Sequence, residues 1–386
     1  MYKNIINKRR LIDLFMMLAA IKSPSGNEKE IVEKVSSILL RMGLDVNIDQ
    51  SGKHYGSNSG NITAFSKGSS SSKNLSIFLG AHLDTVSIDG EIVPVIKNGI
   101  ISNKNTYILG GDDKVAVAAI LEVLRTIKEK NIKTGDIYLI FTVSEEIGVA
   151  GAKYVELDRI KANFGFVFDA HGDVGTIYNQ APYQDSIDAS FTGKAAHAGI
   201  EPEKGINSIK TAALAIAKME IGRVDNETTA NIGKISGGQA RNIVPEETKI
   251  MLEARSLNLK KLKNTIRLMV NVLKQTAKKT GAVLDYSLYR EYDGFRIEED
   301  EMPLMAASYA LKNLGLKPII ASSGGGSDIN IFNSKGKRAV NLSSGMEDVH
   351  TSTEHVKVDQ LHLLANLILK ICTLDFKNIR DSKGKH

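Results

Sequence analysis

The 386-residue chain carries 50 Lys plus Arg against 44 Asp plus Glu, a formal net charge of +6, with 42% hydrophobic and 24% charged residues. That composition excludes a mainly disordered chain and supports sizeable apolar cores, and the length fits about two domains. The basic residues are dispersed among acidic ones, which argues against a nucleic-acid partner, and a single cysteine, Cys372, excludes both an intrachain disulfide and a thiolate metal module.

Lys8-Arg9-Arg10 and the apolar residues Leu11 to Ile21 look at first like a leader. Asp13 interrupts the run, no small-residue cleavage site follows, and the segment is too short to span a bilayer, so it reads as a helix packed on a core. With no other long apolar stretch, the chain reads as cytoplasmic, with no membrane partner. From Ser25 to Gly43 an amphipathic helix is expected: Ser25 and Glu28 have capping-box spacing, Ile31, Val32, Val35, Ile38 and Leu39 form a stripe, and Gly43 ends it. The Ser-rich stretch Ser66 to Ser72 lies between strand-like runs at Asn61 to Phe65 and Leu75 to Leu79 and reads as a hairpin loop.

Short apolar runs then alternate with helical stretches: Leu75 to Leu79, a helix Lys114 to Lys128, Ile137 to Val143, and Phe164 to Phe168. This is an α/β pattern. Beyond Ala181 the texture changes to alternating strands such as Ser186 to Phe191, a helix from Gly205 to Met219, more strands through Glu253, and a helix from Leu259 to Thr280. That block reads as a small α+β sheet covered by two helices. After about Tyr292 the α/β pattern returns, with a helix Glu301 to Leu314, a strand Arg338 to Leu342 and a last helix Val358 to Leu374. The expected division is therefore 1–182 and 291–386 for a larger domain, with 183–290 inserted.

Five segments place His, Asp or Glu beyond a strand-like run. The first, Leu75 to Leu79, leads to His82-Leu83-Asp84, with His82 and Asp84 on one face of an extended chain. A strand-like run Tyr107 to Leu109 precedes Gly110-Gly111-Asp112-Asp113-Lys114, where simple helix capping by the acids is an open alternative. Ile137 to Val143 runs into Glu145-Glu146, whose diverging side chains could separate metal binding from proton transfer or form only a solvated turn. Phe164 to Phe168 delivers Asp169, and the strand Arg338 to Leu342 leads on to His350. Ligands in open α/β sheets gather beyond the carboxyl ends of the strands. Two imidazoles and several carboxylates without a thiolate suit zinc, cobalt or manganese. His171, just past Asp169, reads as a solvated turn residue.

Taken in order, His82-Leu83-Asp84, Gly111-Asp112-Asp113-Lys114, Glu145-Glu146, Asp169 and His350 resemble the co-catalytic zinc exopeptidases, which include peptidase T, glutamate carboxypeptidase and aminoacylase. The resemblance covers nearly the whole chain. It is strongest to peptidase-T-like tripeptidases, through Gly193-Lys194-Ala195-Ala196-His197-Ala198-Gly199, Glu253-Ala254-Arg255-Ser256 and Gly324-Gly325-Gly326-Ser327-Asp328. It implies a catalytic domain with a mixed sheet between helices and an inserted α+β lid and dimerisation domain.

Carried over by position, the resemblance implies two divalent ions, zinc foremost, bridged by Asp112. His82 and Asp169 would complete the ligands of one, Glu146 and His350 those of the other. Glu145 would be the general base on a metal-bridging water, and Asp84 the catalytic carboxylate beside His82. Formally, Asp112, Glu145, Glu146 and Asp169 balance two divalent cations. In the inserted block, His197 would stabilise the reacting carbonyl, reaching across a homodimer, Asn242 and Arg255 would bind polar groups of the substrate, and Gly325 would let backbone approach it. The implied activity is hydrolysis of the N-terminal peptide bond of short peptides, tripeptides above all. An N-acyl amino acid amidohydrolase or a carboxypeptidase could use the same metals. A non-catalytic peptide-binding protein would have no reason to keep Glu145, Glu146 and both histidines together.

Overall fold

Helix α1 (Lys8–Ala19) starts at Asn7, whose side chain accepts from the Arg10 N–H, and buries Leu11, Phe15, Leu18 and Ala19 along one face. The coordinates are a computed structural model, which describes residues 5–69, 75–376 and 379. Helix α2 (Lys29–Arg41) buries Ile31, Val32, Val35 and Leu39 as the stripe predicts. Its expected capping box is absent. Glu28 instead accepts from the Gly26 N–H and the hydroxyls of Ser57 and Ser144, while the Ser25 hydroxyl donates to Asp84. Tertiary partners have replaced the local cap.

Strands β1 (Asp45–Ile48), β2 (Ile62–Ser66) and β3 (Ile77–His82) follow, then a ribbon of β4 (Pro94–Lys97) and β5 (Ile100–Asn103), helix α3 (Lys114–Glu129) and β6 (Ile137–Thr142). The expected hairpin between β2 and β3 does not form, and part of its Ser-rich loop lies outside the described residues. Strand β6 runs between them, antiparallel to β2 and parallel to β3. Every position of β3 is buried, and a central strand flanked by parallel neighbours is the arrangement that hides such a continuous apolar run. The run at Tyr107 to Leu109 is not a strand either; its Leu109 N–H donates to the Glu354 carboxylate.

Strands β7 (Phe164–Ala170) and β8 (Thr176–Ala181) complete the first passage through the large sheet. The chain then builds β9 (Tyr183–Thr192), α4 (Ser208–Ile216), β10 (Gly222–Arg223), β11 (Thr228–Gly237), β12 (Glu247–Ser256), α5 (Leu259–Thr280) and β13 (Val283–Tyr292). It returns through β14 (Phe295–Arg296), α6 (Met302–Asn313), β15 (Ile319–Ser322), α7 (Asp328–Ser334), β16 (Ala339–Ser343), β17 (Met346–Glu347), β18 (His355–Lys357) and α8 (Val358–Cys372). The large mixed sheet has the order β1-β2-β6-β3-β7-β16-β8-β14, with β15 also on β8.

Two compact units result: Met1–Gln180 with Arg296–Ser322 and Ser327–His386, and Ala181–Phe295 with Ser323–Gly326. In the second, a five-stranded antiparallel sheet, β10-β11-β12-β9-β13, carries a core of Ile187, Phe191, Ile250 and Leu252 against Leu262, Met269 and Leu273 of α5. Helix α5 has both of its ends specified: the Asn258 side chain accepts from the Lys260 and Lys261 N–H groups, and Gly281 adopts the left-handed conformation at the C-terminus. No helix among the described residues is long and apolar enough to cross a membrane.

Candidate metal centre

Strands β3 and β6, β3 and β7, and β7 and β16 pair in parallel, so their carboxyl ends share one edge of the sheet. His82 is the last residue of β3, Glu145 and Glu146 follow β6, Asp169 is near the end of β7, and the chain beyond β16 reaches His350. Asp112 arrives just before α3. Its Oδ1 lies 3.1 Å from His82 Nε2, and its Oδ2 lies 3.1 Å from His350 Nε2. Asp169 Oδ1 is 3.6 Å from His82 Nε2, and Glu146 Oε1 is 2.9 Å from His350 Nε2. One carboxylate thus stands between two imidazoles, each with a second carboxylate.

The donor set can be tested against a bound cation. His82 Nδ1 lies 3.0 Å from the Asp84 carbonyl, which only accepts, so Nδ1 carries a hydrogen and Nε2 is the nitrogen turned toward Asp112 and Asp169. A bound cation would displace the Nε2 proton and take that nitrogen together with the facing carboxylate oxygens. Ligand atoms of His82, Asp112 and Glu146, and of Asp112, Asp113 and Asp169, lie within 4.8 Å of one another. Both carboxylate oxygens of buried Asp113 lack a hydrogen-bond partner among the described residues. Nitrogen and oxygen donors with an orphaned buried carboxyl group fit a pair of divalent cations.

Electrostatics agree. Burial, with the neighbouring Asp169 charge second, pushes Asp113 and Glu145 well above the usual carboxylate range, and burial also raises Glu146 and Asp169. The Asp112 and Glu146 carboxylates push His350 up to about 10. Burial works to lower His82, but the carboxylates of Asp112, Asp169 and Asp84 outweigh it and raise it well above 6.5. Asp112 is held low: burial opposes this, and His350 and His82 overcome it. The cluster demands positive charge, and a divalent cation meets that demand from imidazole and carboxylate together.

Asp84 stands beside His82 and is tied to the Glu145–Glu146 turn as well. Its Oδ1 is 3.5 Å from His82 Nδ1, but it accepts from the Glu145 N–H at 2.9 Å, while Oδ2 accepts from the Ser25 hydroxyl at 2.7 Å and the Glu146 N–H at 3.1 Å. It is buried at 0% exposure because those donors satisfy it, and it orients the Glu145–Glu146 turn. Ser144, just before that turn, has φ +55° and His350 has φ +64°, both in the region that disfavours side chains. The Ser144 hydroxyl is anchored on Glu28 at 2.6 Å. The Glu145 carboxylate accepts no hydrogen bond among the described residues.

Three further groups were given no site role by the sequence, although Asp113 and Asp328 stand in its motifs. Asp113 takes the N-cap position of α3 without a side-chain cap bond, so the capping alternative fails and the acid faces the cluster. Its only sequence signal was adjacency to Asp112. Asp328, whose carboxyl burial raises to about 7, accepts a hydrogen bond from Thr142 at the end of β6. Glu354 accepts from four backbone N–H groups of residues 109–112. His171 is exposed, as a turn residue should be.

In the second unit, His197 Nδ1 accepts from the Gly199 N–H at 3.2 Å, so the neutral ring carries its hydrogen on Nε2 and can donate outward. The backbone of His197 bridges Ile243, and the Asn242 carbonyl accepts from the Ala198 N–H, which brings the His197 and Asn242 loops together. Both residues are exposed. Arg255 is held by Glu253 through Nε at 3.1 Å and Nη2 at 3.0 Å. Its Nη1 has no hydrogen-bond partner among the described residues and lies 3.6 Å from where a Cβ at Gly325 would lie.

The model of "Peptidase family M20/M25/M40" matches residues 78–373. The uncharacterized protein YqjE of Bacillus subtilis is 36% identical over 367 residues, covering 95% of this chain and 98% of its own. The crystal structure of aminopeptidase PepT from Bacillus cereus has a TM-score of 0.87 at 38% identity, and that of a tripeptidase from Staphylococcus aureus 0.91 at 38%. Each covers 97% of this chain and 100% of the other. These matches span the strand-end cluster and the inserted unit alike, and the chain belongs to peptidase family M20/M25/M40.

Proposed function

We propose that the protein is an aminopeptidase that releases the N-terminal residue of short peptides, tripeptides above all, at a centre of two divalent metal ions. The observation that carries this is the Asp112 carboxylate set between His82 and His350. Similarity to structures described as an aminopeptidase and a tripeptidase supports the substrate class. In this reading His82, Asp112 and Asp169 hold one ion and Asp112, Glu146 and His350 the other, with Asp113 available to the first set. When bound, the ions would lower the pKa of the attacking water and polarise the scissile carbonyl.

Glu145 takes the proton of the attacking water and returns it to the leaving amine. Its open carboxylate and its burial-raised pKa suit both halves of that task. Asp84 holds the Glu145 backbone in place. His197 donates from Nε2 to the reacting carbonyl, and Arg255, with Asn242, binds the carboxylate and other polar groups of the peptide, since a planar guanidinium suits such a group. Gly325 leaves room for backbone to approach. Zinc as the resident metal, a homodimer formed through the inserted unit and a cytoplasmic location complete the proposal, the first supported by the thiolate-free donor set and the other two by the family resemblance.

The test is a screen of metal-reconstituted protein against free-amine tripeptides, dipeptides and N-acetyl amino acids. The expected products from tripeptides are the N-terminal amino acid and a dipeptide. Cleavage confined to the acylated compounds would replace this reading with an amidohydrolase, and release of the C-terminal residue would replace it with a carboxypeptidase.

A further inference from the structure

The segment Leu109–Asp112 delivers the carboxylate shared by both imidazoles, yet it belongs to no strand or helix. Its backbone N–H groups need partners, and a single side chain supplies them. Glu354 Oε2 accepts from Leu109 at 2.7 Å and Gly110 at 2.9 Å, and Oε1 accepts from Gly111 at 2.7 Å and Asp112 at 3.0 Å. Glu354 is 2% exposed. The glycines are what make this approach possible: Gly110 has φ +72°, and a Cβ on Gly111 would stand 3.0 Å from Glu354 Oε1. Successive N–H groups turned to one side form an anion nest, and here the anion is part of the same chain. Glu354 also sits between His350 and β18, which is tied to β5 by pairing of His355 with Ser102. One carboxylate therefore joins the segment bearing Asp112 to the segment bearing His350.

We propose that Glu354 is the positioning residue of the metal centre: it fixes the Asp112 segment, and its spacing from His350, before metal binds. It touches no substrate and acts through Asp112. The inference rests on the reading of Asp112 as the shared ligand, and the two can fail separately.

The experiment measures zinc affinity by chelator competition on the full chain, for the wild type, Glu354→Gln, Gly111→Ala and Asp112→Asn, with thermal unfolding of the metal-free proteins alongside. Glu354→Gln keeps the shape but turns an N–H2 group toward two N–H donors, and should weaken zinc binding about 10- to 100-fold. Gly111→Ala keeps the carboxylate but crowds it, and should weaken binding in the same direction. A purely structural role would lower the unfolding temperature without moving zinc affinity. Wild-type zinc affinity in folded Glu354→Gln and Gly111→Ala overturns the proposal. Should Glu354→Gln not fold, hydrogen exchange on the wild type decides: the Gly110–Asp112 amides should be protected in the metal-free protein, and rapid exchange there overturns it. If Asp112→Asn binds zinc normally, the ligand reading itself falls; if it binds weakly while Glu354→Gln binds normally, only the positioning role falls.

Discussion

In the larger unit β3 is buried at every position, whereas β12 in the smaller unit alternates exposed and buried from Glu247, with every even-numbered residue to Ser256 inside. A strand covered on both faces has no place for polar side chains along its length, so they collect at its end, where the surroundings are dry and charges act strongly. A strand with one open face carries its polar groups in contact with water. Arg255 and Glu253 lie on that less buried face of β12, two residues apart, which is why they can pair. In the proposed reading, reaction chemistry belongs to the strand ends of the first unit and substrate contacts to the second.

The sharpest way to break that contrast is Glu145→Gln. Gln keeps the size of the side chain and cannot take a proton, so turnover should fall about 100-fold or more while bound metal stays at the wild-type level. Steady-state kinetics with elemental analysis of the same samples checks both halves. Wild-type turnover would remove the proton-transfer role, and loss of metal would make Glu145 a ligand rather than a base.

A second variant asks whether the units are separable. Leu273 in α5 is fully buried in the core of the smaller unit, and Leu273→Ala should lower unfolding stability by about 2–5 kcal/mol. Because the proposed ligands His82, Asp112, Glu146, Asp169 and His350 all belong to the larger unit, zinc affinity measured below the unfolding transition should match wild type. A parallel loss of zinc affinity would mean that the strand-end cluster depends on the second core, and the contrast would fail.

The same difference explains what the sequence made legible. His82, Glu145, Glu146 and Asp169 each stop an apolar run, a pattern visible without coordinates because strands buried on both faces are long in apolar residues and end abruptly. Helix α5 could be read to its termini because Asn258 and Gly281 act locally. Glu354 was invisible: its function lies in backbone N–H groups far away in the chain, and amides have no sequence signature. Ser25 and Glu28 misled for the related reason that their local spacing is that of a cap while their actual partners, Asp84, Ser57 and Ser144, are tertiary. The β2–β3 hairpin failed because β6, distant in sequence, took the position between them.

The smallest expected effect, and the one most specific to the second unit, is that of Arg255→Lys. Arg255 uses Nε and Nη2 on Glu253 and keeps Nη1 open beside Gly325. Lysine retains the charge and can still pair with Glu253, but it cannot hold that carboxylate with two nitrogens and present a third to a ligand. If Arg255 binds the substrate carboxylate equally in ground and transition states, KM for a tripeptide should rise about fivefold, roughly 1 kcal/mol, with kcat unchanged. An amidated tripeptide, lacking the carboxylate, should show no difference between variant and wild type. A fall in kcat on both peptides would instead place Arg255 among the groups that act on the reacting bond, and the chemistry would no longer be confined to the strand ends.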